Sequence, residues 1–114
     1  MAINERLTKR VRAALSHLPD VAEKKMFRGI TFMVNKKMCI SVGDDHIMCR
    51  FDPALHEEIL RTKGCRTMEM GGRKYKGYVY VREEAVSSEK ELQYWIKLAL
   101  NFNVKAKMAK KKML

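Results

Sequence analysis

The stretch from Lys25 to Val42, K-M-F-R-G-I-T-F-M-V-N-K-K-M-C-I-S-V, decides the fold. Two runs rich in β-branched and aromatic residues flank a polar break at Asn35-Lys36-Lys37, the pattern of a β-hairpin. Strand side chains alternate, so Ile30, Phe32 and Val34 share one face, and so do Met38, Ile40 and Val42. A two-residue turn at Asn35-Lys36 pairs Phe32 with Cys39 and sets these two apolar rows on opposite faces. A three-residue loop, Asn35-Lys36-Lys37, pairs Val34 with Met38, Phe32 with Ile40 and Ile30 with Val42. The second register keeps one apolar face intact, and a slip by one residue loses it. It places Lys37 in the left-handed conformation usually given to glycine.

Strands are therefore expected near residues 26–34, 38–42 and 46–51. Asp44-Asp45 turns the chain between the second and third, pairing Val42 with Ile47 and Ile40 with Cys49. Upstream, Ile3, Leu7, Val11, Ala14, Leu15 and Leu18 recur at helical spacing, with Arg6, Lys9, Arg10 and Arg12 on other faces. Pro19-Asp20 stops this helix. Downstream, Asp52-Pro53 opens a short helix as N-cap and N1, and Gly64 ends it. A second hairpin follows, with strands at 66–70 and 74–81 and a Gly71-Gly72 turn. Ser88 to Glu91 reads as a capping box, opening a helix that puts Leu92, Trp95, Ile96, Ala99 and Phe102 on one side.

The expected order is α-β-β-β-α-β-β-α. It gives an α+β, two-layer fold: a five-stranded, largely antiparallel sheet with helices on one face. Phe32, Ile40, Ile47 and Trp95 belong to its core. The domain is expected over residues 1–103, followed by a basic, mobile tail at 104–114.

With 114 residues there is room for one domain and one core. No apolar run approaches the ~20 residues a membrane span needs, and the first twenty residues make a poor signal peptide. Cys39, Cys49 and Cys65 are odd in number and include no C-x-x-C, which points to free thiols in a reducing cytoplasm. Net charge is +11, of which Lys105, Lys107, Lys110, Lys111 and Lys112 supply five and the body the remaining six. Such a field favours anionic partners.

Catalytic and metal constellations are weak. Cys39, His46 and Cys49 lie on neighbouring strands, but the register sends Cys49 to the core and the other two away, unlike a closed zinc site. His17, His46 and His56 are scattered, and His56 with Glu57 and Glu58 reads as the wet side of a short helix. Gly71 to Gly77, G-G-R-K-Y-K-G, lacks phosphate-loop spacing and precedes no helix. No cofactor, metal or enzyme activity is expected.

Two surfaces are candidates for binding. The lysine tail, with Arg73, Lys74 and Lys76 beside Tyr75, Tyr78 and Tyr80, suits a polyanion such as nucleic acid. Phe27, Thr31, Met33, Cys39 and Met48 face away from the core in this register. An apolar, methionine-rich strip left in water is a docking face for a second copy or a partner protein.

Met26, Phe27 and Gly29 also carry a resemblance. The segment is similar to the Met-Phe-Gly-Gly segment, strand, turn and strand of the N-terminal domain of TfoX/Sxy-type competence regulators, with Arg28 at the first glycine. The Gly77-Tyr78-Val79-Tyr80-Val81 strand and the closing helix with Trp95 extend the likeness over residues 4–102. The resemblance implies a two-layer fold shared with type III secretion chaperones, which commonly dimerise. It implies a non-enzymatic co-regulator that meets the transcription machinery, since such proteins act with the catabolite activator protein on DNA-uptake genes. Those regulators carry a second domain, for which this chain has no room, so a different role is expected to be open to it.

Overall fold

The computed structural model describes residues 4–26 and 29–105, apart from the side chain of Met70. Helix α1 spans Glu5–Leu15, β1 Val21–Met26, β2 Gly29–Val34, β3 Lys37–Val42 and β4 His46–Arg50. Helix α2 spans His56–Leu60, β5 Cys65–Met70, β6 Arg73–Arg82 and α3 Glu89–Asn103. The strands form one antiparallel sheet in the order β1-β2-β3-β4-β6-β5. The fold is α+β, with the helices on one face of the sheet.

The sheet has six strands where five are expected. The added strand, β1, pairs Glu23 with Phe32 and Lys24 with Thr31. Its sequence V-A-E-K-K-M is exposed from Ala22 onward. Hydrophobic alternation carries no signal there, because backbone pairing along β2 makes the strand. Charge at Glu23, Lys24 and Lys25 suits it to an edge, where it discourages pairing with another chain.

The β2–β3 hairpin combines the two registers weighed above. Asn35 and Lys36 have φ of +54° and +66°, a two-residue turn of the mirror-image type that fits hairpin twist. Val34 pairs with Lys37 and Met33 with Met38, yet Phe32 pairs with Ile40. One residue of β3, Cys39, is left over as a bulge. The bulge restores the apolar register that the short turn would have lost. Lys37 therefore stands in the strand, and the expected three-residue loop is not formed.

Gly29 shows why its motif needs glycine. A Cβ there would lie 2.0 Å from the Val42 carbonyl oxygen, so any side chain would push β2 and β3 apart. The downstream elements follow expectation. Asp52 caps the turn at Pro53–Leu55, accepting from the Ala54 N–H at 3.0 Å. Gly71 and Gly72 turn the second hairpin at positive φ. Ser88 and Glu91 form the reciprocal capping box.

The core lies between sheet and helices. Phe32, Ile40 and Ile47 are fully buried, and Trp95 is 2% exposed. Leu7, Val11 and Leu15 of α1 and Leu92, Ile96 and Ala99 of α3 close over them. No helix among the described residues is long and apolar enough to cross a membrane.

Candidate functional site

The thiols are built for packing. Cys39 and Cys49 are buried and Cys65 is half-buried. The bulge turns Cys39 into the core cluster, which corrects its expected place on the opposite face. Burial pushes the Cys39 thiol up to about 12, partly opposed by Arg50. Burial raises Cys65 to about 11 and lifts Cys49 well above its ordinary value, with its sister thiols adding to the effect at Cys49. Nucleophilic and metal-binding cysteines need the opposite shift. Cys49 instead donates to the Trp95 carbonyl at 3.6 Å.

His46 does not join these thiols. Its Nδ1 is 2.9 Å from Asp45 Oδ1, and its ring meets Tyr80 edge-on at 4.7 Å. The His46 contact holds the Asp45 carboxyl below the usual carboxylate range. Asp44, Asp45 and His46 place their polar atoms within 4.8 Å of one another in an open hairpin turn. Turn chemistry accounts for these residues.

His56 is not on a wet surface; only 3% of it is exposed. Its Nδ1 accepts the Gly77 N–H at 2.9 Å. That assigns the proton to Nε2, which donates to Thr67 Oγ1 at 3.2 Å. The ring stacks on Phe51 at 5.9 Å. Gly77, at φ +87°, also accepts from the Phe51 N–H, and here β6 leaves β5 while keeping β4. His56 is thus the internal partner of a kink, which the scattered histidine pattern did not reveal.

Two surface depressions share Arg82 and Glu84. The first, of about 1040 Å³, is lined by Arg6, Arg10, Arg66 and Arg82 against Asp45, Glu83, Glu84 and Glu89. Its charges pair internally: Arg6–Glu83 at 2.9 Å, Arg82–Glu84 at 3.5 Å and Arg10–Glu89 at 3.9 Å. An incoming anion would compete with carboxylates already in place.

The second depression, of about 700 Å³, is different in kind. Gly64, Ala85, Tyr94 and the edge of Trp95 give it apolar walls, with Lys63 and Lys90 on its rim. Tyr94 is 50% exposed and stands edge-on to Trp95 at 5.2 Å. A Cβ on Gly64, itself at φ +87°, would come within 2.9 Å of the Ala85 Cβ. Glu91 is engaged with Ser88, and Glu84 with Arg82. Lys63 and Lys90 make no ion pair among the described residues. Tyr94 was not singled out in the sequence. The available signal was its position: an aromatic on α3 lying off the Leu92-Trp95-Ile96-Ala99 stripe.

The basic candidates divide. Arg73, Lys74 and Lys76 are exposed at the tip of the β5–β6 hairpin, with Tyr75 37% exposed among them. Lys105 is exposed and 3.7 Å from Asp52. Lys107, Lys110, Lys111 and Lys112 lie outside the described residues, as does Phe27.

The expected open strip is largely closed within this chain. Thr31, Cys39 and Met48 are buried and Met33 is half-buried. Thr31, Ser41, Met48 and Tyr80 stand in one cross-strand row on the central strands. The Thr31 and Ser41 hydroxyls meet at 2.9 Å. Met48, between Ser41 and Tyr80 in this row, is only 2% exposed.

A family model described as the TfoX N-terminal domain matches residues 13–103. No curated protein and no solved structure matches the chain.

Proposed function

We propose that this chain, which belongs to the TfoX N-terminal domain family, is a non-enzymatic regulatory or adaptor domain that works through protein contacts. The observation that carries the reading is the Tyr94 groove. It offers an apolar wall, a half-exposed aromatic and, at its rim, two lysines that make no ion pair among the described residues. A protein segment with an apolar anchor between carboxylates fits it: the anchor packs beside Tyr94 and Trp95, and the carboxylates meet Lys63 and Lys90. Aromatic anchors in partly dry pockets are where contact surfaces concentrate their binding energy. The overall charge of +11 draws acidic partners from a distance. Family membership suggests that the partner belongs to gene regulation, and a competence role within the cytoplasm is part of the same proposal.

The test is affinity capture from nuclease-treated native lysate with the full chain and with Tyr94→Asp. The reading expects a saturable protein partner, retained at moderate salt, that Tyr94→Asp loses while remaining folded. A partner that Tyr94→Asp binds as well as wild type would contradict it.

A second reading has its own support in the exposed cluster Arg73, Lys74 and Lys76. There the chain is a small nucleic-acid-binding module, with Lys105, Lys107, Lys110, Lys111 and Lys112 adding phosphate contacts. Removing residues 105–114 would lower polyanion affinity and flatten its dependence on salt. Binding and slope that survive the deletion unchanged would take the tail out of the account.

A further inference from the structure

The outer face of β6 carries more than charge. Tyr75, Tyr78 and Tyr80 lie on the side of the sheet opposite the helices, with Val79 and Val81 turned inward. Tyr75 and Tyr78 meet edge-on at 6.3 Å, so the looped residues Lys76 and Gly77 do not break the row. The strand period sets Tyr78 and Tyr80 about 6.8 Å apart. Arg66 lies on this row, 4.9 Å from the Tyr80 ring centre; Arg50, 5.6 Å from that of Tyr78, is held at the row's end by the Phe102 ring at 5.5 Å and by the Met38 carbonyl, to which it donates at 3.4 Å. Arg73, Lys74 and Lys76 continue it to the hairpin tip. The hairpin from Cys65 to Arg82 holds five cations against one acid, Glu69.

A basic patch alone would suit any polyanion. A row of aromatic rings and guanidinium planes on a sheet face suits flat, unpaired bases. A duplex keeps its bases stacked on one another and offers this row only phosphates. The charge separates an anionic ligand from an apolar protein segment, and the rings favour unpaired bases over a duplex or an acidic segment, neither of which offers flat faces.

We infer that the outer face of β6, through Tyr75, Tyr78 and Tyr80 with Arg66, binds single-stranded nucleic acid by base stacking. Arg73, Lys74 and Lys76 hold the phosphates. The inference rests on the second reading above for its charge, and adds the ligand class and the stacking residues. It involves none of the residues of the Tyr94 groove.

The experiment measures fluorescence anisotropy of labelled oligomers of about twelve nucleotides, within the range one small domain covers. The probes are oligo-dT, oligo-rU and a mixed-sequence duplex of the same length, titrated with the full chain at several salt concentrations. The expected result is tighter binding of a single strand than of the duplex. Tyr78→Leu, and separately Tyr75→Ala, should each weaken single-strand binding by about tenfold with little change in salt slope. Lys74→Gln with Lys76→Gln should flatten the slope for every probe. The dT and rU arms tell DNA from RNA. Tyr75 is the more exposed of the two rings, so Tyr75→Ala keeps the test valid should Tyr78→Leu unfold; the Trp95 fluorescence of each variant reports this. Equal binding of strand and duplex, or tyrosine variants that bind like wild type, would overturn stacking and leave only the charge-based reading. No binding of any probe would overturn both.

Discussion

Asn103, the last residue of α3, accepts at Oδ1 from the Asn35 side-chain amide at 3.1 Å. Its own amide donates to the Val34 carbonyl at 3.1 Å, and its backbone carbonyl accepts from Lys37 Nζ at 2.7 Å. The end of the last helix thus clamps the left-handed turn of the first hairpin, 68 residues earlier. Asn103 is only 2% exposed. Asn103→Ala removes the donor to the buried Val34 carbonyl and the acceptor of Asn35, and should cost about 1–3 kcal/mol. Urea unfolding with an unchanged m-value would report it. Asn103→Ala at wild-type stability would mean that the clamp carries no load.

His56 serves the second hairpin in the same way. Replacing it with Phe keeps an aromatic ring for Phe51 but removes the acceptor for the Gly77 N–H and the partner of Thr67. A loss of about 1–3 kcal/mol is expected from the unsatisfied backbone donor. The Gly77 amide should also exchange with solvent faster than in wild type. Unchanged exchange at Gly77 would show that the ring's packing, and not its hydrogen bond, matters.

Trp95 closes the core at 2% exposure and takes the Cys49 thiol on its carbonyl. Trp95→Ala should cost about 3–5 kcal/mol, as large aromatic truncations do. In the wild type, acrylamide should quench the Trp95 fluorescence poorly. Ready quenching would contradict the packing.

The thiols set an alkaline limit. Folding raises Cys65 to about 11 and Cys39 to about 12 from an ordinary value near 9. In the unfolded chain these thiols ionise first, so it binds fewer protons than the native state above about pH 9. Stability should hold below pH 9 and fall as pH rises toward 11 and 12. Cys39→Ala with Cys65→Ala should reduce that fall in a series of urea midpoints. A double variant with the wild-type alkaline slope would assign the loss to other groups.

Much of the fold was legible because its signals are local. Alternation gave the pairings Phe32 with Ile40 and Val42 with Ile47, and the caps at Asp52 and Ser88 were written in residue types at fixed spacing. The edge strand β1 was not, because its residues are exposed and only its backbone contacts make it a strand. The bulge at Cys39 leaves no trace in the alternation, because one extra residue reconciles two registers that alternation alone sets against each other. His56 and Tyr94 escaped for opposite reasons. The first is a polar residue buried by a kink formed 21 residues later, the second an aromatic left outside by the rotation of α3.

The claim that most needs testing is that the groove at Tyr94 receives a protein segment. A photo-crosslinking amino acid placed at position 94 of the full chain, irradiated in native cells, tests it directly. The account expects a protein adduct whose crosslinked peptide, read by mass spectrometry, carries an apolar residue flanked by Asp or Glu. Lys63→Glu with Lys90→Glu should abolish that adduct. An adduct-free position 94, or an adduct indifferent to the charge reversal, would contradict the account.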